Sequence, residues 1–438
     1  MDKLIVNKKY VLSVSYGDYT NGVGGTDRVI KAHSEMLFHN DISYIYIYPK
    51  KCINNRMKIS EDRFWCLICD GVSRDIITTD YVCTLLNNLQ KKGYQLLAII
   101  VHHFKNVNLH EFSAIVECNN APILFYLHDY MTICPKAGLI TSNDEFCGAS
   151  FPCKEKCEGC TFFANDNLTR LSDIQQIIDR IRDRLVFIAP SDAAKREWIK
   201  CYSEFEKRIR VIYHQCSNEI YLQNSEIINE NEPLKIAFIG YQKNLKGWNQ
   251  WHDAVETVRK ISNNIEFYQF GTVKDHHSYI KEVEVDFKKS LSSMIDALRE
   301  NKIHVAVLWS VWPETYSYTY YESWAANTFV LCNSLSGNIC EQVAINRNGV
   351  VANAPSQLVS LLQDENRLRE MVNQYRIECK NAVPYELIEN EELIEVLEND
   401  VETVTIKLSH PNKIIDFKLN YYRLLDKLNK VYQSIRKK

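Results

Sequence analysis

Two successive sets of short apolar runs, each alternating with helical segments, constrain this chain more tightly than anything else in its sequence. In the first set, Tyr10 to Tyr16, Ile42 to Tyr48, Phe64 to Cys69, Leu96 to His102, Ile123 to Leu127 and Leu185 to Ala189 read as strands. Thr26 to Phe38, Asp80 to Lys91 and Asp192 to Ser203 carry helical periodicity. Alternation of this kind argues for a parallel sheet covered by helices on both faces.

The second set opens at Leu234 to Gly240. Helix is expected at Trp248 to Ile261 and Leu291 to Asn301, and strand at Ile265 to Phe270 and Ile303 to Trp309. Phe329 to Cys332 and Gly349 to Ala352 read as short strands. Between the sets, Ser217 to Pro233 is polar, acidic and rich in asparagine, and reads as a linker. The expectation is an α/β chain of two Rossmann-like domains, residues 1–222 and 223–405, with parallel sheets facing a cleft. Residues 406–438 form a tail whose apolar spacing from Ile415 to Val431 is helical.

Composition narrows the class. With 438 residues, 46% hydrophobic and 24% charged, the chain has room for two or three ordinary globular cores. A net charge of −3 excludes a strong overall pull on nucleic acid. The start lacks a basic segment followed by an apolar one, so no signal peptide is expected. Apolar stretches such as Leu96 to Val101 are far too short to span a bilayer. Fifteen cysteines are then expected to be mostly reduced, in the cytoplasm or at the inner face of its membrane.

The stretch Trp312 to Glu322 concentrates the chemistry. It joins a strand to a helix, and Pro313 blocks helix upstream while Ser317 or Thr315 is placed to cap the first turn. A helix N-terminus facing such a loop favours an anion, phosphate above all. Glu314 and Glu322 flank it, and each carboxylate accepts two hydroxyl hydrogen bonds. The pair suits a diphosphate bearing a sugar at each end. Two carboxylates alone equally describe a solvated acidic face.

Glu314-x7-Glu322, followed by Ala-Ala-Asn-Thr-Phe-Val-Leu, resembles the E-x7-E signature of retaining glycosyltransferases of family 4, which have the GT-B fold. The resemblance implies that Glu314 holds sugar hydroxyls, that Glu322 holds a ribose diol, and that Thr315, Tyr316, Ser317, Tyr318 and Thr319 line the donor phosphates. Gly22 to Val29 resembles the family's Gly-Gly-x-x-Arg-Val loop, which places Gly24 and Gly25 under the donor. His128, at the end of a strand, takes the place of the histidine that contacts the transferred sugar, with His102 and His103 as weaker alternatives. Asp129 either orients that imidazole or caps the following turn.

Gly240 to Trp248 resembles the loop in which an arginine and a lysine grip the diphosphate. Lys246 matches the lysine, Tyr241 replaces the arginine, and Lys243 is a candidate for the second charge. Asn327 stands where the family has a glycine, and asparagine is the best non-glycine residue for a left-handed helix end. Ser334 to Asn338 and Glu341 resemble the loop lining the donor pocket. In the family a C-terminal helix crosses back onto the first domain, and residues 406–438 are its candidate.

The implied activity is metal-independent retaining transfer from a nucleotide-diphosphate sugar to a glycan or lipid-linked oligosaccharide in cell-surface polysaccharide synthesis. No Asp-x-Asp of the metal-carrying type occurs. A sugar-nucleotide epimerase, a phosphorylase and a non-catalytic nucleotide-binding subunit are the alternatives. For a lipid-linked acceptor, helices with Arg170, Arg180, Arg182 and Arg184, or Lys195 and Arg196, offer a basic face toward a membrane surface, the alternative being an ordinary solvated helix face.

One insertion, about residues 134–165, falls outside the resemblance. Cys134, Cys147, Cys153, Cys157 and Cys160 crowd into it with few apolar residues. Four of the five suit a structural zinc, which would contribute directly to folding. Free thiols, a disulfide and an iron–sulfur cluster are the other readings.

Overall fold

The structure, a computed structural model, describes residues 6–50, 63–141, 143, 145–148, 157, 160, 165–220, 227–286, 293–378 and 383–399. The tail 406–438 and Cys153 therefore lie outside the described residues. The chain divides into two units: Met1–Tyr126 with Ser172–Ile188 and Glu391–Lys438, and Leu127–Leu171 with Ala189–Asn390.

The first unit is built on β1 (Lys9–Val14), β2 (Ile42–Pro49), β3 (Phe64–Cys69), β4 (Val72–Thr78), β5 (Gln95–Val101), β6 (Ile123–Tyr126) and β7 (Leu185–Ala189). These run in the order β4-β3-β2-β1-β5-β6-β7. The pairs β1–β2, β1–β5, β5–β6 and β6–β7 are parallel, as expected, whereas β2–β3 and β3–β4 are antiparallel. Strand β4 escapes the sequence pattern because its first half, Val72-Ser73-Arg74, is exposed and polar enough to read as loop. Asp70 and Gly71, both at positive φ, make the tight turn into it.

In the second unit, β8 (Ile209–Val211) and β9 (Gln215–Ile220) precede β10 (Leu234–Ile239), β11 (Ile265–Phe270), β12 (Ile280–Val283), β13 (Val305–Leu308), β14 (Phe329–Asn333), β15 (Gly349–Ala352) and β16 (Val383–Glu389). An all-parallel sheet runs β12-β11-β10-β13-β14-β15. Alternate residues of each central strand enter two separate cores. Ile236, Phe238, Val305, Val307 and Leu331 pack with Trp251, Val255 and Leu358, while Ala237, Ile239, Ala306, Leu308 and Val330 pack with Met294, Leu298 and Tyr320. Burial on both faces is why these strands read as continuous apolar runs rather than as alternating ones.

The linker reading needs a correction. Its first residues belong to β9, which pairs antiparallel with β16 in a separate two-stranded sheet. Polar residues such as Ser217, Asn218 and Glu219 suit a two-stranded ribbon, which need not bury both faces.

The helix Tyr318–Ala325 ends as its asparagine suggests. Asn327 has φ 57°, its N–H donates to the Trp324 carbonyl (2.9 Å), and Thr328 N–H donates to the Ser323 carbonyl (3.0 Å). This is the Schellman pairing of a left-handed helix end. Replacing Asn327 with alanine is expected to cost about 1 kcal/mol, since a Cβ without the local amide disfavours that conformation. Asn327→Gly should cost nothing. Thermal melts of both variants test this, and equal losses would assign the effect to the amide rather than the backbone.

Candidate functional site

Beyond β13 the chain enters a loop that leads to the helix Tyr318–Ala325. Two neighbouring loops shape it. From one side, Asn333 Nδ2 and Ser336 Oγ donate to the Ser310 carbonyl at 2.8 and 3.0 Å. Asn338 N–H donates to the Glu314 carbonyl (2.9 Å), and Asn338 Nδ2 to the Tyr316 carbonyl (2.7 Å) and the Tyr321 hydroxyl (3.1 Å). Gly337 makes this approach possible, because at φ +59° a Cβ there would lie 2.5 Å from Glu314 N.

From the other side comes the loop after β10. Val311 N–H donates to the Leu245 carbonyl at 3.1 Å. Gly247, at φ +81°, lies so close that a Cβ would stand 2.0 Å from the Trp309 carbonyl oxygen. That contact delivers Lys246. Its Nζ meets Glu314 Oε1 at 2.5 Å, and Ser310 Oγ donates to the same oxygen at 2.5 Å. The Lys246 side chain is 37% exposed and that of Glu314 7%, so the ammonium reaches solvent while its carboxylate partner is sheltered.

His128 joins the same loop. Thr315 Oγ1 donates to the His128 carbonyl (2.7 Å), and Ser191 Oγ donates to the Thr315 carbonyl (2.6 Å) while accepting from Ala194 N–H. Thr315, Tyr316 and Glu322 are buried. Tyr316 stacks on Tyr321 with 4.5 Å between ring centroids, and burial holds both phenols well above their ordinary range. The structure thus brings together His128, Lys246, Glu314 and Thr315 to Tyr318, which were proposed for one site by the sequence reading.

His214 is a residue that it missed. Its ring centroid lies 5.6 Å from that of His128, 4.6 Å from Tyr316 and 5.9 Å from Tyr318, and the next residue's N–H, at Gln215, donates to the Tyr316 hydroxyl. The only sequence signal was a histidine just past an apolar pair, Val211 and Ile212, and no motif contains it.

The expected helix cap is also corrected. The Thr315 hydroxyl is committed to His128. Ser317 occupies the N-cap position at φ 72°, ψ 87°, with its hydroxyl 3.0 Å from that of Thr319 and no side-chain cap bond. That backbone is far from the extended conformation from which a cap hydroxyl reaches the helix amides. Ser317 thus gives the helix N-terminus no side-chain cap, which favours its receiving an external anion.

Lys243 lies apart from the Glu314 carboxylate: its Nζ sits 5.4 Å over the exposed Tyr241 ring. Gly24 and Gly25 belong to the first unit and open the helix Gly25–His39. There Gly24 N–H donates to Asp27 Oδ2 at 3.1 Å, and burial raises the Asp27 carboxyl above its ordinary value. The alternative histidines serve the first unit's interior. His102 is buried with Nε2 3.1 Å from the Tyr44 hydroxyl, and His103 Nδ1 accepts from Lys105 N–H. Asp129 Oδ1 caps the following turn by accepting from Met131 N–H at 2.9 Å.

Much of the anticipated basic face is engaged internally. Arg180 pairs with Glu117, Arg182 with Asp179, and Arg196 grips Glu341 through two bonds of 2.9 Å. Arg184 donates to the carbonyls of Val116, Asn119 and Ala121. Among the described residues no helix is long and apolar enough to cross a membrane.

Of the clustered cysteines, Cys134 has its thiol pushed up by burial, with Cys157 and Cys160 adding to it, and Cys160 N–H donates to the Cys157 carbonyl. Cys147 instead donates to the Leu139 carbonyl at 2.9 Å. Among the described residues no group of three or more histidine, cysteine, aspartate or glutamate side chains is arranged to hold a metal ion.

The two Rossmann-like domains define the GT-B fold, and solved glycosyltransferases share it. Sucrose-phosphate synthase from Thermosynechococcus elongatus is 12% identical, with a TM-score of 0.53 over 85% of this chain and 94% of that one. TarM of S. aureus, solved with UDP and α-GlcNAc-glycerol, is 10% identical, with a TM-score of 0.52 over 85% and 95%. WaaG, a glycosyltransferase involved in lipopolysaccharide biosynthesis, is 12% identical, with a TM-score of 0.50 over 84% and 94%. No protein-family model matches the sequence. No curated protein matches it either.

Proposed function

We propose that this protein is a retaining glycosyltransferase that takes its sugar from a nucleotide-diphosphate donor. The observation that carries the reading is the Lys246–Glu314 pair beside a helix N-terminus that its N-cap residue, Ser317, leaves uncapped. An ammonium and a set of helix amides suit a diphosphate, and a sheltered carboxylate beside them suits the hydroxyls of the attached sugar. The GT-B fold and the UDP bound by TarM are in keeping with this.

In this reading the donor diphosphate replaces Glu314 as the partner of Lys246, and the freed carboxylate accepts from the sugar. Glu322 holds the ribose diol. Lys246 and the amides of residues 315–319 stabilise charge on the departing diphosphate, a preorganised electrostatic contribution that needs no metal. The acceptor hydroxyl attacks the face from which the diphosphate leaves and passes its proton to the departing phosphate. His128, fixed through Thr315, contacts the transferred sugar. The acceptor class is a glycan or a lipid-linked oligosaccharide of the cell surface.

Thermal shift with UDP and UDP-sugars in excess EDTA tests the grip, because a ligand that binds only the folded state raises its stability. Lys246→Ala should abolish most of the shift with either ligand, and Lys243→Ala should remove less. A larger loss in Lys243→Ala, or no shift in the wild type with any nucleoside diphosphate, would refute the assignment.

A further inference from the structure

Away from this site, two cysteines of the first unit meet between neighbouring helices. Cys83 lies on the helix Thr79–Lys91, and Cys118 ends the helix Leu109–Glu117. Both thiols are half-buried. Cys83 Sγ donates to the Ala114 carbonyl (3.7 Å) and Cys118 Sγ to the Ile115 carbonyl (3.1 Å), so successive carbonyls of one helix hold the two sulfurs. The two sulfurs are thus held at the same end of that helix, Cys83 reaching it from the neighbouring helix and Cys118 from its own C-cap.

Their surroundings make the pair unequal. Arg184 is anchored beside Cys118 by bonds to the Asn119 (2.7 Å) and Val116 (2.8 Å) carbonyls. The neighbouring Cys83 thiol, with Asn119 and the Arg184 charge assisting, draws the Cys118 thiol below its ordinary value. The neighbouring Cys118 thiol and burial push Cys83 up. Thiolate character and access are what make a cysteine reactive. A second thiol close at hand is what turns that reactivity into a disulfide rather than a lasting adduct.

We propose that Cys83 and Cys118 are a reversible covalent modification site, joined as an intramolecular disulfide by a small disulfide oxidant such as oxidised glutathione. The Cys118 thiolate attacks one sulfur of the oxidant, forming a mixed disulfide and expelling one glutathione thiolate. Cys83 then attacks the Cys118 sulfur, forming the Cys83–Cys118 bond and expelling the second glutathione. The two protein thiols lose two electrons and two protons, and the oxidant leaves as two glutathione thiols. The product ties the helix Thr79–Lys91 to the helix Leu109–Glu117.

The test treats the full-length native protein with oxidised glutathione, quenches with acid, alkylates the remaining thiols and maps the peptides. A linked Cys83–Cys118 peptide that dithiothreitol abolishes is expected. Alkylation of both residues, or their linkage to other cysteines instead, would overturn the proposal. In Cys83→Ser, glutathione should accumulate on Cys118, because the resolving thiol is gone. A Cys118 that takes up none in that variant, while it remains folded by thermal melt, would overturn it as well.

Discussion

Glu314→Ala is expected to reduce turnover with a nucleotide-sugar donor by roughly a hundred- to ten-thousand-fold while leaving the binding of bare UDP intact or tighter. The two halves of this result have different causes. A carboxylate that accepts two sugar hydroxyls forfeits about 1.5–3 kcal/mol for each charged hydrogen bond lost, and each 1.4 kcal/mol or so is a tenfold rate. Bare UDP has no transferred sugar, and its diphosphate competes with Glu314 for the Lys246 ammonium 2.5 Å away. Removing the carboxylate frees that ammonium. Glu314→Gln should fall between, since one acceptor oxygen survives. Steady-state kinetics and UDP titration check both halves. Wild-type turnover in Glu314→Ala, or an equal loss of UDP binding and turnover, would remove Glu314 from the role given to it.

The second large effect is expected at Gly247, a residue that touches no ligand in this reading. Alanine there costs about 1–2 kcal/mol for the left-handed backbone and about 1–3 kcal/mol more for overpacking. The overlap is with backbone, the Trp309 carbonyl oxygen at 2.0 Å, which cannot turn aside as a side chain would. A melting temperature lower by roughly 5–15 °C follows for a unit of this size. Gly148→Ala is the control: it shares a positive φ, +79°, yet a Cβ would meet nothing within 4 Å. It should therefore lose only the backbone share. Because the same contact carries Lys246 to Glu314, Gly247→Ala should also weaken UDP binding, and Gly148→Ala should not. Equal destabilisation by the two would mean that the close approach to Trp309 is immaterial.

What the sequence carries best is the part of the fold with strong local periodicity. Strands β10, β11 and β13 and their helices were legible because burial on both sheet faces demands unbroken apolar runs, whatever lies around them. Elements with weak local signatures were not. Strand β9 is polar and finds its partner, β16, well over a hundred positions along the chain, a pairing invisible to any short window. Strand β4 is half exposed and depends on the turn at Asp70 and Gly71.

The candidate site divides in the same way. The sequence by itself singled out the candidates through the resemblance they carry: Glu314, Lys246 and His128 lie in loops beyond strand ends, and Glu322 lies within the helix that follows. Asn327, standing where the resembling family has a glycine, likewise pointed to a left-handed helix end, and its φ is 57°. Only the tertiary structure decided how these groups are joined. Lys246 meets Glu314 because Gly247 and Gly337 let three loops close to backbone contact, and neither glycine's partner is near it in sequence. Thr315 bonds to His128 rather than capping its own helix, and His214 arrives from a separate stretch of chain. Periodicity and capping are local, set by the few residues around them. A site assembled from non-local backbone approaches depends on packing, which a linear pattern does not encode.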